Sequence, residues 1–235
     1  MKSVLDAFLL KRIEENRKTL KKTLDDTLQI EQVCLNEIVK GISFCKKNIS
    51  RSEKLKDKAD LSSIMSLNAK KEAFSDNLII WNTLGHIQMA SIEMKQYTKR
   101  LSADNDEWQQ QDAIKGAYIA IYETSEKLIN NIGKVIKFIK QYFPDYDFST
   151  LKVAKTNLSE FRNDNAEELK YVRNNIGAHR DNEICKQLKT IENLHLSVAI
   201  KLVLEYENII NDLGVAVSPI KQLGINRLET ACRNK

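Results

Sequence analysis

The chain has 235 residues, 42% of them hydrophobic, with only seven Gly and two Pro, so it can build a sizeable core but lacks the turn residues of an antiparallel β protein. The net charge of +5 is uneven: residues 1–60 carry 14 Lys and Arg against 10 Asp and Glu, and the remainder 23 against 22. An excess of this size does not by itself mark a nucleic-acid protein, because a solvated helix face accounts for it equally.

No apolar run approaches the length of a membrane helix. The patch Val4, Leu5, Ala7 to Leu10 is followed at once by Lys and Glu and has no small-residue cleavage site, so a signal peptide is not expected. Cys34, Cys45, Cys185 and Cys232 are scattered, with no Cys-x-x-Cys pair. That spacing suits neither a disulfide scaffold nor a thiolate zinc site, and the cytoplasm is the expected compartment.

From about Ser3 to Cys45, Leu5, Leu9, Ile13, Leu20, Leu24, Leu28, Cys34, Ile38 and Ile42 recur at helical spacing, which predicts one long or two broken amphipathic helices. Asn48 to Leu61 is polar and Lys-rich and reads as a connection. A second helix is predicted from Ser75 to Leu101, and residues 102–106 form a turn. The clearest segment is Asp112 to Phe143, where Ala113, Ala117, Ile121, Leu128, Ile132, Val135, Ile139 and Phe143 keep to one stripe before Pro144 ends it. A shorter helix leads from about Ala166 to Gly177. The last long helix is predicted over Glu183 to Leu213, with Gly214 in a left-handed terminal position, and a short helix near Ile220–Ala231 follows Pro219. The expectation is all-α: an antiparallel bundle over residues 71–214, a helical hairpin over 1–70, and a short helix and tail over 215–235.

At the end of this short helix, Arg173 and His179 are six residues apart. An unbroken α-helix would point them about 120° apart. Gly177 between them is expected to adopt positive φ, end the helix and let His179 return towards Arg173. Asn174 adds an amide able to orient the histidine or a phosphate oxygen.

The run Arg173-Asn174-Asn175-Ile176-Gly177-Ala178-His179 resembles the signature of the HEPN superfamily: an arginine, a polar residue, and a histidine a few positions on. Ala178 before the histidine and Arg180-Asp181 after it are similar to versions in abortive-infection and toxin-like branches. Some toxin members have a tyrosine where Asp181 stands, and an aspartate there can pair with His179 or Arg180. The resemblance implies a HEPN-like helical bundle that dimerises so that two motifs face one cleft. It also implies a metal-independent RNase leaving 2′,3′-cyclic phosphate ends, or a relative that has lost activity and binds RNA or protein. His179 would act as general acid or base on a ribose 2′-hydroxyl, and Arg173 would hold the scissile phosphate.

The catalytic candidates are therefore Arg173, Asn174 and His179, with no cofactor and no metal. The expected partners are RNA (tRNA or mRNA), a second copy of the chain, and an antitoxin or other regulatory protein, without a membrane. The bland alternative for the same run is a helix C-terminus capped by Gly177, with His179 favouring the negative end of the dipole. A third reading makes the chain a helical adaptor using its N-terminal region. His195, in register with Leu188, Ile191, Val198 and Leu202, reads as a core histidine. His86 has no partner spacing and reads as surface or partly buried. Tyr118, Tyr122, Glu123 and Glu126 could face the cleft from the third helix, but need no special role on an amphipathic helix.

Overall fold

The computed structural model describes the backbone of residues 2–56, 60–103, 106–177 and 184–233, and the side chains of 15–56, 60–103, 106–175, 187 and 189–233. The described residues form α1 (Lys2–Lys56), α2 (Leu61–Leu101), α3 (Glu107–Tyr142), α4 (Ser149–Asp164), α5 (Ala166–Val172), a π-helical turn (Arg173–Gly177), α6 (Ile184–Glu192), α7 (Leu196–Val217) and α8 (Ile220–Arg233). They contain no strand, and the protein is an all-α helical bundle. No helix among them is long and apolar enough to cross a membrane.

The polar stretch expected as a connection is helical as far as Lys56. Asn48 donates its amide to the Phe44 carbonyl at 2.9 Å, and Ser52 is buried, so this stretch is continuous with the helix before it. Leu24, Ile38 and Cys45 supply buried positions on α1, whereas Leu20 and Cys34 are exposed. The side chains of Leu5, Leu9 and Ile13 lie outside the described residues.

Capping carboxylates set two starts earlier than the apolar pattern predicts. Asp60 accepts the Ser63 amide N–H at 2.8 Å and starts α2 at Leu61 rather than Ser75. Asp106 accepts from the Gln109 N–H at 2.8 Å and starts α3 at Glu107. The α3 stripe from Ala113 to Ile139 is buried as expected. After Pro144 the chain forms α4, a helix that the apolar pattern does not announce. Asp147 accepts the Ser149 N–H at 2.9 Å, and Leu151, Ala154, Leu158 and Phe161 are buried at helical spacing. Asn165, at φ −105° and ψ 7°, separates α4 from α5.

The single helix expected over Glu183–Leu213 is two helices with a break at residues 193–195. Leu194 donates to the Ile191 carbonyl at 3.1 Å, closing a tight last turn, and the His195 carbonyl accepts from Ala199 at 3.0 Å to open α7. His195 is consequently exposed at the break rather than in the core. Leu194, Ala199, Leu202, Val203 and Tyr206 take the buried positions instead. Gly214 is no terminus: α7 runs on to Val217, and no glycine among the described residues has positive φ.

The chain divides into two compact units, and α1, α2, α3 and α7 each contribute a segment to both. The first comprises Met1–Val33, Ala90–Tyr122 and Asn165–Glu207. Its core includes Met94, Ile114, Tyr118, Ile121, Leu169 and Tyr206, and it also buries a charge. Lys95 lies 3.0 Å from Glu31 and 3.2 Å from Glu207, and donates to Ser91 Oγ at 2.7 Å. Ser91 in turn donates to Glu31 at 3.0 Å.

The second unit comprises Cys34–Met89, Glu123–Asp164 and Asn208–Lys235. Ile80, Leu128, Ile132, Ile139, Leu158 and Leu213 are among its buried residues. Asn77 on α2 donates its amide to the Gly224 carbonyl on α8 at 2.5 Å. A Cβ at Gly224 would stand 2.6 Å from Asn77 Oδ1, so the close approach of these helices needs glycine. The Arg227 guanidinium lies 4.4 Å from the centre of the Tyr142 ring, whose hydroxyl donates to Glu72 at 2.7 Å. His86 is partly buried; its Nδ1 lies 2.7 Å from the Asn82 carbonyl and 3.3 Å from the Asn131 amide.

Candidate functional site

The first unit holds the Arg173 motif. Leu169 and Val172 anchor α5, both fully buried, and Asn175 continues the inward-facing side at 7% exposure. Its amide faces the Thr190 hydroxyl of α6 at 3.5 Å, and that hydroxyl donates to Tyr171 at 3.2 Å. These contacts tie the π-helical turn to α6. A π turn carries i→i+5 hydrogen bonds, one residue more than an α-helical turn, and such turns recur at functional sites. The chain between Arg173 and His179 thus begins with a widened turn, not with a glycine ending an α-helix at Gly177.

Arg173 closes α5, its N–H bonding to the carbonyls of Leu169 and Lys170. Its side chain is half-buried, and its guanidinium carbon lies 5.7 Å from the centre of the Tyr122 ring on α3. An aromatic face at this distance holds a cation in place. Arg173 Nη1 donates to Asn174 Oδ1 at 3.3 Å, while the Asn174 side chain is otherwise exposed. Arg173 Nε is buried and has no hydrogen-bond partner among the described residues. The guanidinium is held by a ring and one amide, and keeps donors able to serve an oxyanion.

One helical turn before Tyr122, Tyr118 is buried and donates its hydroxyl to Glu168 on α5 at 2.9 Å. Burial first, then the hydrogen bond and charge of Glu168, push the Tyr118 phenol well above its usual range. It therefore stays protonated and acts as a fixed donor that fastens α5 to α3. Tyr118 and Tyr122 are thus positioning residues for the Arg173 helix, a role the sequence left open. Their signal was the four-residue spacing of two tyrosines on α3, which puts both on one side of the helix.

Of the three candidates, the structure brings Arg173 and Asn174 into contact. His179 lies outside the described residues, as do Ala178, Arg180 and Asp181. Glu123 and Glu126 belong to the second unit, where Glu126 pairs with Arg162 at 3.6 Å. Among the described residues no group of three or more His, Cys, Asp or Glu side chains is arranged to hold a metal ion. No family model, no curated protein and no solved structure matches this chain.

Proposed function

We propose that the protein is an endoribonuclease of the HEPN type, cleaving RNA without a metal ion, in the cytoplasm, as a homodimer whose two motifs share a cleft. A toxin or phage-defence role, restrained by an antitoxin or other regulatory protein, fits that chemistry. The observation that supports this reading is the state of Arg173: a guanidinium steadied by Tyr122 at 5.7 Å, with a buried Nε that no described residue satisfies, at a π-helical turn leading towards His179.

In this mechanism His179 takes the proton of a ribose 2′-hydroxyl. The 2′-oxygen bonds to the adjacent phosphorus, and the bond from phosphorus to the 5′-oxygen breaks. The leaving 5′-oxygen receives a proton, giving a 5′-hydroxyl and a 2′,3′-cyclic phosphate. Arg173 donates to the non-bridging oxygens, where negative charge builds in the transition state. Asn174 keeps the guanidinium oriented through its Oδ1.

The test is cleavage of labelled single-stranded RNA and tRNA in EDTA by the wild-type protein, His179→Ala and Arg173→Ala. The expected result is cutting by wild type alone, with cyclic-phosphate ends. Removing the general base or the phosphate-holding arginine costs a factor of roughly 10² or more. No cutting by wild type, or equal cutting by both folded variants, overturns the proposal. RNA binding without cleavage would mark a catalytically silent binding module.

A further inference from the structure

Outside the Arg173 motif, α3 carries a second pattern in the same unit. Trp108, Lys115 and Tyr122 are seven residues apart. At about 100° per residue, a step of seven returns to within roughly 20° of the same direction, so the three share one face of α3. That face alternates ring, cation, ring. Trp108 is 64% exposed, the largest exposed aromatic surface among the described residues, although a tryptophan ordinarily hides most of its indole. Lys115 and Tyr122 are partly exposed.

Trp108 forms one wall of a cavity of about 320 Å³, lined among the described residues also by Arg100, Gln109, Asp112 and Ala113. Trp108 also lines a second, smaller hollow with Gln111, Asp112, Lys115 and Ile191. The indole therefore borders two recesses, with a guanidinium at one and an ammonium at the other. Arg100 packs against the Tyr97 ring at 5.8 Å, and Lys115 pairs with Asp112 at 2.6 Å. Both cations are thereby held on the Trp108 side of the unit. Gln109 and Asp112 add a side-chain amide and a carboxylate at the rim, a donor and acceptor set suited to a base edge.

We propose that this face of α3 is a track for single-stranded RNA: an unpaired base stacks on Trp108, the backbone passes Lys115, and the strand reaches Arg173 at Tyr122. The chemistry is that of non-sequence-specific strand binding, in which aromatic faces take bases and interleaved cations take phosphates. The 14 steps from Trp108 to Tyr122 span roughly 21 Å of helix. That is about six nucleotides at a stacked rise of roughly 3.4 Å. Trp108 sits at the distal end, so it sets the length and single-strandedness of RNA that reaches the reacting phosphate. This inference rests on the reading of Arg173 as the phosphate-holding residue, but its binding part is measured without cleavage.

The experiment uses the full chain with Trp81→Phe, which leaves Trp108 as the one indole, since the sequence has two tryptophans. Its fluorescence is titrated with a 2′-O-methyl oligoadenylate, which lacks the attacking hydroxyl, with the corresponding duplex, and with AMP. The expected result is quenching by the single strand at concentrations well below those needed for AMP or duplex. By anisotropy of a labelled strand, Trp108→Ala should bind about tenfold or more weakly and Trp108→Phe close to wild type. Lys115→Gln should lower the salt dependence of log Kd by about 0.7. Equal strand affinity of wild type and Trp108→Ala overturns the track and leaves the RNase reading standing. AMP binding as tightly as the strand overturns it in favour of a free-nucleotide pocket. No strand binding at all overturns the track, and cleavage by Arg173 and His179 is then judged by the assay above. Strand binding that needs Trp108, with no cleavage of ordinary RNA, keeps the track and removes the catalytic reading.

Discussion

Among single residues, Lys95 carries the largest structural demand in the first unit. It is 7% exposed, and its ammonium has two carboxylate neighbours and a hydroxyl acceptor. Without it, Glu31 and Glu207 would face each other in a poorly solvated interior. Lys95→Met is therefore expected to cost about 2–3 kcal/mol, somewhat below a fully buried pair because both carboxylates keep some contact with solvent. Urea unfolding of the two proteins checks this, and an unchanged midpoint would rule it out. Nothing in the sequence singles out this lysine, which falls among the buried positions Ile87, Ala90 and Met94 of α2. Its partners come from 64 residues before it and 112 after it, a separation that no local pattern announces. Arg173 stands out in the sequence for the opposite reason: the run it belongs to is contiguous. The Tyr122 ring beside it was visible only as a tyrosine on a helix, because the packing of α5 on α3 is tertiary.

Among the elements, α3 was the most legible, because each buried residue of its stripe recurs at helical spacing and Pro144 marks its end. Elements set by caps and backbone geometry were harder to read. The start of α2 depends on Asp60, and α4 is short, polar on one side and flanked by Asp147 and Asn165. The break at residues 193–195 interrupts a run whose apolar spacing alone reads as continuous. Two glycines in helices test the packing that results. Gly133 on α3 has nothing within 4 Å of an added Cβ, so Gly133→Ala should stabilise by up to about 1 kcal/mol through helix propensity. Gly224 faces Asn77, so Gly224→Ala should destabilise by about 1–2 kcal/mol after the same gain is subtracted. Thermal melts of the pair should move in opposite directions; shifts of the same sign would contradict the close approach of α2 and α8.

For the whole molecule, Cys45 gives a reporter of global opening. It is fully buried on α1, and burial pushes its thiol from 9.0 up to about 11. The thiolate is the reactive form, so at pH 8 the native protein should alkylate at Cys34 and Cys232, which are exposed, long before Cys45. Labelling of Cys45 should follow the unfolding curve in urea, as read by peptide mass spectrometry, and early labelling would show that α1 opens locally. Because the folded-state value is raised, the stability gained by keeping this thiol neutral is complete below pH 9.0 and is lost as pH rises through about 11.

The division into units also bears on how the protein is made. Each unit is assembled from three separated stretches of chain, the first needing residues as late as Glu207 and the second needing Asn208 onwards. A nascent chain that has emerged as far as α5 holds α1 to α4 complete, yet neither unit has all its parts. The ribosome thus releases long amphipathic helices whose buried faces are still uncovered. Folding of both units is deferred until α7 and α8 have been made, and for that interval the apolar sides of α2 and α3 depend on one another or on a chaperone for cover.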